Sequence, residues 1–382
     1  MAAPDGDPVR ARVRDARIDV PAGVTAGVAV FDRQTGGFTE QLNTRTQFRS
    51  ASVVKLLIAL DYLWNRGPTY EIPAADRTRL DAMLRSSDDD AASYYWNLNG
   101  KGTIVDRMVT RLGLTDTAPP PASTPTTWGY TALSAADTVK IYRYLLDQAP
   151  APVRDFVMGN LRQSTRCGTD GFDQRFGIPG AFNGPWAVKQ GWSGFGSGSD
   201  CLNGEPSGTG GTGATAADAA TRPSAASSGT DAPSARGRAG VTDVDTRRRA
   251  LHTTGTVGTG DRYIVAVFSL HGTDTTFGKA YTDLGRLTRS LNLPGIGRPA
   301  GTWFETWGTG VRVRSGTTTD STVLTHLPAG VEVLVGCQKE GQEVTVPPYT
   351  NRWWAYLPQY HGYISNIYFR SPDNELPGVG LC

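Results

Sequence analysis

The feature that most constrains the fold of this chain is a long stretch without any large apolar side chain. Residues 205–240 contain no Val, Ile, Leu, Phe, Tyr, Trp or Met, and consist mainly of Gly, Ala, Ser, Thr and Pro. Such a segment cannot bury enough apolar surface to offset the conformational entropy lost on ordering. We therefore predict a disordered loop inserted between two strands, with the core built from the sequence on either side.

The regions flanking this loop suggest two domains. A chain of 382 residues is long enough for more than one core. Strand-like and helix-like segments are mixed up to residue 295, whereas only short strand-like segments separated by turns follow the stretch 294–301. We predict a first domain over residues 1–295 and a small all-β domain over residues 302–382.

Apolar periodicity in the first domain predicts helices packed on an antiparallel sheet, an α+β sandwich. The strand-like segments are residues 24–31, 38–48, 181–189, 249–257 and 261–270. The helical segments begin at residue 52 and recur at 76–84, 89–98, 104–112, 135–146, 152–162 and 277–290.

Charge and hydropathy argue against several kinds of partner. The formal net charge is +2 with no Lys/Arg block, so we predict no nucleic-acid partner. No apolar run approaches the roughly 18 residues that a membrane-spanning helix needs. The four histidines show no metal-ligand spacing, and we predict no metal or cofactor. His252 could line a site, although a structural role is favoured.

The four cysteines fall into two groups, one inside each predicted domain. An even number in this arrangement favours two disulfides, Cys167–Cys201 and Cys337–Cys382, and an exported protein. The alternative is four unrelated buried thiols. The N-terminal residues lack the apolar core of a signal peptide, so we expect a secreted or extracellular protein whose signal peptide has been removed.

Ser52 and Lys55 lie three residues apart at the start of an apolar helix. This spacing places both side chains on one face, where the ammonium can reach the hydroxyl. The N-terminal end of a helix also favours a developing negative charge. We interpret the pair as the nucleophile and base of a serine acyl-transfer enzyme. Taken alone, so short a pattern also fits an N-cap serine beside a solvated lysine.

Two further motifs follow in the chain. Residues 83–92 read Met-Leu-Arg-Ser-Ser-Asp-Asp-Asp-Ala-Ala, and residues 187–192 read Ala-Val-Lys-Gln-Gly-Trp. With Ser52-x-x-Lys55 they resemble, in order, the S-x-x-K, S-D-N and K-[ST]-G motifs of class A β-lactamases and their penicillin-binding relatives. The chain most closely resembles the exported serine hydrolase-like branch of that superfamily. The resemblance spans about residues 8–295 apart from the loop, and implies a β-lactamase-like α/β sandwich.

The resemblance implies a role for each matching side chain. Ser52 would be the acylated nucleophile and Lys55 the base that takes its proton. Ser87 would relay a proton to the leaving group. A lysine acts as a base only when neutral, so burial and a second cation must lower the pKa of Lys55. Lys189 is expected to supply that cation.

The substrate-binding and oxyanion positions implied by the resemblance are Asp89, Gln190, Gly191 and Trp192, with the backbone N–H groups of Ser52 and Trp192 forming the oxyanion hole. Asp89 replaces the asparagine of the family, and a carboxylate near Lys55 favours its charged form. Gln190 replaces a hydroxyl residue that helps to hold a substrate carboxylate. Residues 113–127 contain no glutamate, although class A enzymes carry their deacylating glutamate in this region. Efficient β-lactam hydrolysis is therefore not expected.

A second set of motifs lies near the C-terminus. These are V-R-V-R-S-G at 311–316, L-P-A-G at 327–330, a tryptophan pair and G-Y-I-S at 362–365. Their order resembles the bacterial SH3-like module, a small β-barrel common in exported wall enzymes, which implies a cell-wall polymer or peptide as partner. Trp353, Trp354 and Tyr363 could line its groove, or could simply be core residues.

Three functions are compatible with these features. The first is an exported serine hydrolase that forms an acyl-enzyme on an amide or peptide, including substrates derived from the cell wall. The second is a weak β-lactamase or penicillin-binding protein. The third is a non-catalytic wall-binding protein on a β-lactamase scaffold. Ser52, Lys55 and Ser87 favour the first two functions, whereas Asp89 and Gln190 favour the third.

Overall fold

A computed structural model describes residues 18–196, 201 and 244–382. The first part contains the strands β1 (Thr25–Asp32), β2 (Gly37–Leu42), β3 (Phe48–Arg49), β4 (Ala132–Leu133), β5 (Trp186–Ser193), β6 (Arg249–Val257) and β7 (Tyr263–His271). Five of them form an antiparallel sheet in the order β2-β1-β7-β6-β5, and β3 pairs with β4. Strand β5 therefore lies at one edge of the sheet. The predicted loop at 205–240 lies outside the described residues.

Strand β7 shows why this sheet is covered on both faces. All nine of its residues are buried, and successive side chains of a strand point to opposite faces. Val265 and Val267 belong to one hydrophobic cluster, whereas Ile264, Ala266 and Phe268 belong to another. Two apolar faces need a helical layer on each side. The prediction of helices packed on an antiparallel sheet is confirmed.

The helices divide between the two faces. One hydrophobic cluster is formed with α1 (Lys55–Trp64), α2 (Ala74–Arg85), α3 (Asp89–Leu98), α4 (Gly102–Leu112), α5 (Ala135–Asp147) and α6 (Ala151–Arg162); the other is formed with the short α7 (Ile178–Ala181) and α8 (Phe277–Ser290). Side chains at the N-caps fix where some of them begin, because Asp88 accepts from Ala91 N at 2.7 Å and Thr276 from Lys279 N at 3.2 Å. The predicted bounds of α3 and α8 are confirmed.

Two predicted strands were too long at one end. The segment 38–48 is broken after β2 because Asn43 has a positive φ of 46° and turns the chain. The segment 181–189 becomes a strand only at Trp186, just after Pro185, which has no N–H to donate to a ladder.

The C-terminal part contains only strands and one short 3₁₀ turn. Its strands are β8 (Thr302–Glu305), β9 (Val311–Arg314), β10 (Val323–Leu327), β11 (Glu332–Val335), β12 (Cys337–Val346), β13 (Tyr349–Leu357) and β14 (Gly362–Ser365). They form one sheet in the order β10-β9-β14-β13-β12 and a second pair, β8 with β11. No pairing between β10 and β12 closes the larger sheet in this part of the described chain. The all-β character is confirmed, whereas the SH3-like barrel stays a prediction.

Helix α8 packs against both the central sheet and the C-terminal part. Leu284 and Leu287 of α8 share one hydrophobic cluster with Val311 and Val331. At Gly278 a Cβ atom would lie 2.0 Å from the carbonyl oxygen of Ala329, so only glycine permits this approach. The hydrophobic contacts therefore cross the boundary predicted between residues 295 and 302.

The C-terminal aromatic residues differ in environment. Trp354 is 2% exposed and donates from Nε1 to Gln342 O at 2.8 Å, as a core tryptophan does. The ring of Tyr363 lies 4.6 Å from the ammonium of Lys339. Binding of a wall polymer through these aromatic residues stays a prediction.

Both predicted disulfides are present. Cys167 is bonded to Cys201, and Cys337 to Cys382. The first bond joins Cys167, in the segment before β5, to Cys201, which lies beyond that strand. Among the described helices, none has the length and hydropathy required to span a bilayer.

Candidate active site

Ser52 lies in a buried turn directly before α1. The sequence predicted the first turn of an α-helix here, but Ala51–Val54 form a 3₁₀ turn and Lys55 begins the α-helix. Residues three apart eclipse each other in a 3₁₀ turn, so Ser52 and Lys55 stay on one side. Ser52 is 4% exposed and Lys55 is fully buried. No hydrogen bond between Ser52 Oγ and Lys55 Nζ is found in the described structure.

Lys55 instead directs its ammonium toward the start of α3. Nζ donates to Ser87 O at 2.6 Å, to Ser87 Oγ at 3.2 Å and to Asp89 Oδ1 at 2.5 Å. The ring of Trp128 lies 4.7 Å from the same nitrogen. The predicted contact between Lys55 and the carboxylate of Asp89 is therefore present as a direct ion pair.

Ser87 is positioned by an unusual backbone conformation. Its φ is +55°, in the left-handed region that non-glycine residues seldom adopt. Here both the carbonyl and the hydroxyl of Ser87 face Lys55. From β5, Lys189 donates to Ser87 Oγ at 2.8 Å. The hydroxyl of Ser87 thus lies between the two lysine side chains.

The two buried lysines differ in how their surroundings act on the pKa of each amine. Burial lowers the pKa of Lys55, and the carboxylate of Asp89 opposes this effect. Burial, followed by repulsion from Lys55, lowers the pKa of Lys189 well below its ordinary value. Lys189 therefore loses its proton more readily than Lys55. The physical reason is that only Lys55 has a carboxylate in direct contact.

In the edge strand β5, the three residues after Lys189 differ in where their side chains lie. Gln190 turns into the interior, where its amide donates to Gln174 O at 2.9 Å and Phe176 O at 2.7 Å. A Cβ on Gly191 would lie 3.3 Å from Ser52 N, so glycine allows β5 to pack tightly on the Ser52 turn. The structure thus brings Gly191 to the site and places the amide of Gln190 away from it.

Trp192 contacts Asp170, a residue that the sequence analysis did not identify as part of the site. Its indole Nε1 donates to Asp170 Oδ2 at 2.8 Å. Burial raises the pKa of Asp170, and repulsion from the carboxylate of Asp89 acts in the same direction. Asp170 lies in the irregular segment between α6 and β5, three residues after Cys167, where no periodic pattern marks a functional position.

These elements enclose a pocket of about 430 Å³ above Ser52. Its polar walls include Asp89 from α3 and Asp170, and aromatic walls are added by Trp128 and Trp192. Trp128 lies in the 3₁₀ turn Trp128–Tyr130 before α5, and its indole donates to Ser93 Oγ at 3.2 Å. The sequence carried no signal that singled out Asp170.

His252 has the structural role favoured from the sequence. It is fully buried, accepts from Ser269 N at Nδ1 at 3.2 Å and therefore donates from Nε2 to Arg49 O at 2.8 Å. Burial lowers its pKa to about 3, so the ring is neutral at physiological pH.

The fold and the geometry of the side chains together define the kind of site that this protein has. A buried serine and lysine at the start of a helix meet a second serine and a second lysine beside the edge of an antiparallel sheet. Such a grouping can generate a neutral amine next to a hydroxyl, which is what serine acyl transfer requires.

Comparison with known proteins yields relatives of limited coverage. No protein-family profile matches the chain. The protein named "Putative lipoprotein LppW" from Mycobacterium tuberculosis (strain ATCC 25618 / H37Rv) is 41% identical over 187 residues, covering 47% of this chain and 58% of the relative. The Mycobacterium bovis protein of the same name gives the same values. The chain therefore spans less than two thirds of these relatives.

Similarity to solved structures is weaker. A class A beta-lactamase from Mycobacterium abscessus is 15% identical with a TM-score of 0.44, over 70% of this chain and 92% of that one. PBP-A is 13% identical with a TM-score of 0.46, over 76% of this chain and 97% of its own. Similarity at this level carries no conclusion about activity.

Proposed function

We propose that this chain is an exported serine hydrolase of the β-lactamase and penicillin-binding superfamily, acting through an acyl-enzyme on an amide, peptide or ester. The observation that carries the proposal is the hydrogen-bonded network Lys55–Ser87–Lys189 beside Ser52. Lys55, Ser87 and Lys189 come from three motifs that are far apart in the sequence, and the three side chains meet in this network. The two disulfides support export, since such bonds persist in oxidising compartments. The name of the curated relatives suggests lipid anchoring as one form of export.

Acylation requires that Lys55 give up its proton. The hydroxyl of Ser87 contacts both lysine nitrogens, so it can accept a proton from Lys55 while passing its own to Lys189, the amine that loses its proton more readily. Lys55, now neutral, takes the proton of Ser52 as Oγ bonds to the substrate carbonyl carbon. The bond to the leaving group then breaks as a proton returns through Ser87. Water hydrolyses the resulting ester.

The negative oxygen of the intermediate needs hydrogen-bond donors. The backbone N–H groups of Ser52 and Trp192 remain the proposed oxyanion hole. Two observations support it. Gly191 brings β5 within van der Waals distance of the Ser52 turn, and β5 is an edge strand, so alternate N–H groups face away from the sheet.

The related activity on β-lactams is a second candidate, and one observation favours a slow form of it. Thr126 and Thr127, the pocket-lining end of the segment 113–127, supply no carboxylate. A penicillin that acylated Ser52 would therefore meet no glutamate from this segment to activate a hydrolytic water. We expect long-lived adducts rather than turnover.

Intact-protein mass spectrometry tests these proposals. We expect a fluorophosphonate to add one phosphonyl group to the wild type and none to Ser52→Ala. Ser50→Ala is the matched control, since Ser50 is also buried, two residues away, and among the described residues its hydroxyl donates only to Ala51 O. Fluorescent penicillin would give a persistent adduct if the second candidate is right. Failure of every acylating probe to modify Ser52 in the folded protein would favour the non-catalytic wall-binding alternative.

A further inference from the structure

The pocket above Ser52 has an uneven distribution of charge. Its described lining residues include two carboxylates, Asp89 and Asp170, and no lysine or arginine. Lys55 and Lys189 lie beneath this surface and are 0% and 1% exposed. A ligand entering the pocket therefore meets negative charge before it can meet positive charge.

Asp89 presents its carboxylate to solvent even though its partner is buried. Its side chain is 61% exposed, whereas that of Lys55 is 0% exposed. Only Oδ1 contacts Lys55, and Oδ2 has no partner among the described residues. A cation in the pocket can therefore bind this carboxylate from the side opposite Lys55.

Asp170 faces the same space from another element. Its Oδ2 accepts from the indole of Trp192 at 2.8 Å, and Oδ1 accepts from Phe172 N at 3.4 Å. These bonds hold the side chain in one orientation. Both carboxylates border the same pocket, so a positive group placed between them would be attracted by both.

Neither Gln190 nor Lys189 presents its side-chain nitrogen to the pocket, where it could hold a substrate carboxylate. Gln190 occupies the position after Lys189, but both of its amide hydrogen bonds go to backbone carbonyls in the interior. Lys189 donates to Ser87 and Gln190 O instead of facing the pocket. An anionic substrate would meet two carboxylates and no lysine or arginine among the described lining residues.

We propose that the site selects substrates with a cationic group near the reacting carbonyl, bound between Asp89 and Asp170, and that this cation frees Lys55 to act as the base. The inference rests on the proposed serine hydrolase function and names its substrate class. When the cation binds Asp89, the proton of Lys55 loses its counter-ion and moves through Ser87 to Lys189. Lys55 then accepts the Ser52 proton as the Oγ–carbon bond forms, so the number of protons is conserved.

Matched esters test the charge selection. The p-nitrophenyl ester of 4-(trimethylammonio)butanoate has a neutral isostere in the ester of 5,5-dimethylhexanoate, and an anionic comparator in the mono-ester of glutarate. Rates are corrected with Ser52→Ala at pH 8. We expect kcat/KM to be about tenfold higher for the cationic ester than for its isostere, and lowest for the anionic ester. The preference should shrink in 1 M NaCl because salt screens partly exposed charges.

Asp170→Asn tests the binding residue. It should reduce the cationic-to-neutral ratio severalfold, whereas Asp320→Asn, the same charge change at an exposed position of the C-terminal part, should keep the wild-type ratio. Thermal melts establish that both variants are folded. A wild-type ratio near one, or a ratio that Asp170→Asn does not change, overturns the charge selection while Ser52-dependent turnover still supports the hydrolase.

A second possible outcome distinguishes the hydrolase proposal from the proposed charge selection. If no ester is cleaved through Ser52, the hydrolase proposal fails, and calorimetry on Ser52→Ala with the N-methylamides of the same two acids tests selection by binding alone. Tighter binding of the cationic amide supports the inference. Equal affinity, or no binding of either amide, overturns it.

Discussion

Replacing Asp89 by asparagine should make the candidate nucleophile react faster with an uncharged probe. In the resting structure the Asp89 carboxylate lies 2.5 Å from Lys55 Nζ and favours the charged lysine, which cannot act as a base. Burial acts in the opposite direction. Asp89→Asn removes the charge but keeps a similar shape. Burial is then opposed only by the weaker attraction of the Asp170 and Asp88 carboxylates, so the pKa of Lys55 falls.

The size of the effect follows from the exposure of Asp89. A charge in direct contact can change a proton equilibrium by about 10- to 1,000-fold. Since the Asp89 side chain is 61% exposed, solvent screens it and the lower limit applies. We expect phosphonylation of Ser52 at pH 7 to be about tenfold faster, equivalent to ~1.4 kcal/mol. The two proteins should converge at high pH, where Lys55 is neutral in both.

The assay is the time course of fluorophosphonate labelling between pH 5.5 and 10, measured by intact mass. The midpoint of the rise in rate should move to lower pH in Asp89→Asn, because a lysine with a lower pKa loses its proton earlier. Asp90→Asn is the control, since Asp90 is an exposed neighbour in the same turn of α3 without an ion pair in the described structure. An unchanged midpoint with an unchanged or slower rate would refute the role given to the ion pair.

Four further outcomes are expected. Lys189→Met should slow labelling of Ser52 by about 100-fold, because Lys55 then has no neutral amine to receive its proton; a normal melting temperature would show that the loss is chemical. Gly191→Ala should reduce labelling by about 100-fold, since the new Cβ would lie 3.1 Å from Ser50 O and 3.3 Å from Ser52 N and displace β5 from the turn; retention of full activity would contradict the tight packing. His252→Phe should lower the free energy of unfolding by about 2–4 kcal/mol in chemical denaturation, because a buried backbone N–H and a buried carbonyl lose their partners. In wild-type protein His252 should cause no change in labelling rate between pH 5 and 8, since its pKa of about 3 leaves it neutral throughout.

Much of the site was predictable because its parts follow local rules. Ser52 and Lys55 are close in sequence, so helical geometry alone brings them together. Asp88 marks the start of α3 through its capping bond, which also fixes Ser87 just before the helix. The apolar strand β7 and the capped α8 were readable for the same reason, as periodicity and caps are local signals.

The remainder depends on contacts between distant segments. Asp170 reaches the pocket because Trp192 donates to it, and its segment is held by the disulfide at Cys167. The inward turn of Gln190 depends on two carbonyls of residues 174 and 176. The difference in pKa between Lys55 and Lys189 depends on which of two buried amines contacts a carboxylate. None of these contacts produces a periodic pattern in the sequence.

The position of α8 has a consequence for how the protein can be divided or rearranged. Because this helix is apolar toward the sheet and toward the C-terminal strands, cutting the chain after residue 295 would expose the side chains that face Val311 and Val331. Glu332 adds an ion pair to Arg289 and a backbone hydrogen bond to Thr282 across the same junction. We therefore expect one cooperative unfolding transition rather than two, and low solubility for a fragment ending at residue 295. The C-terminal part could not be exchanged for an unrelated module without redesigning the face of α8 that contacts it.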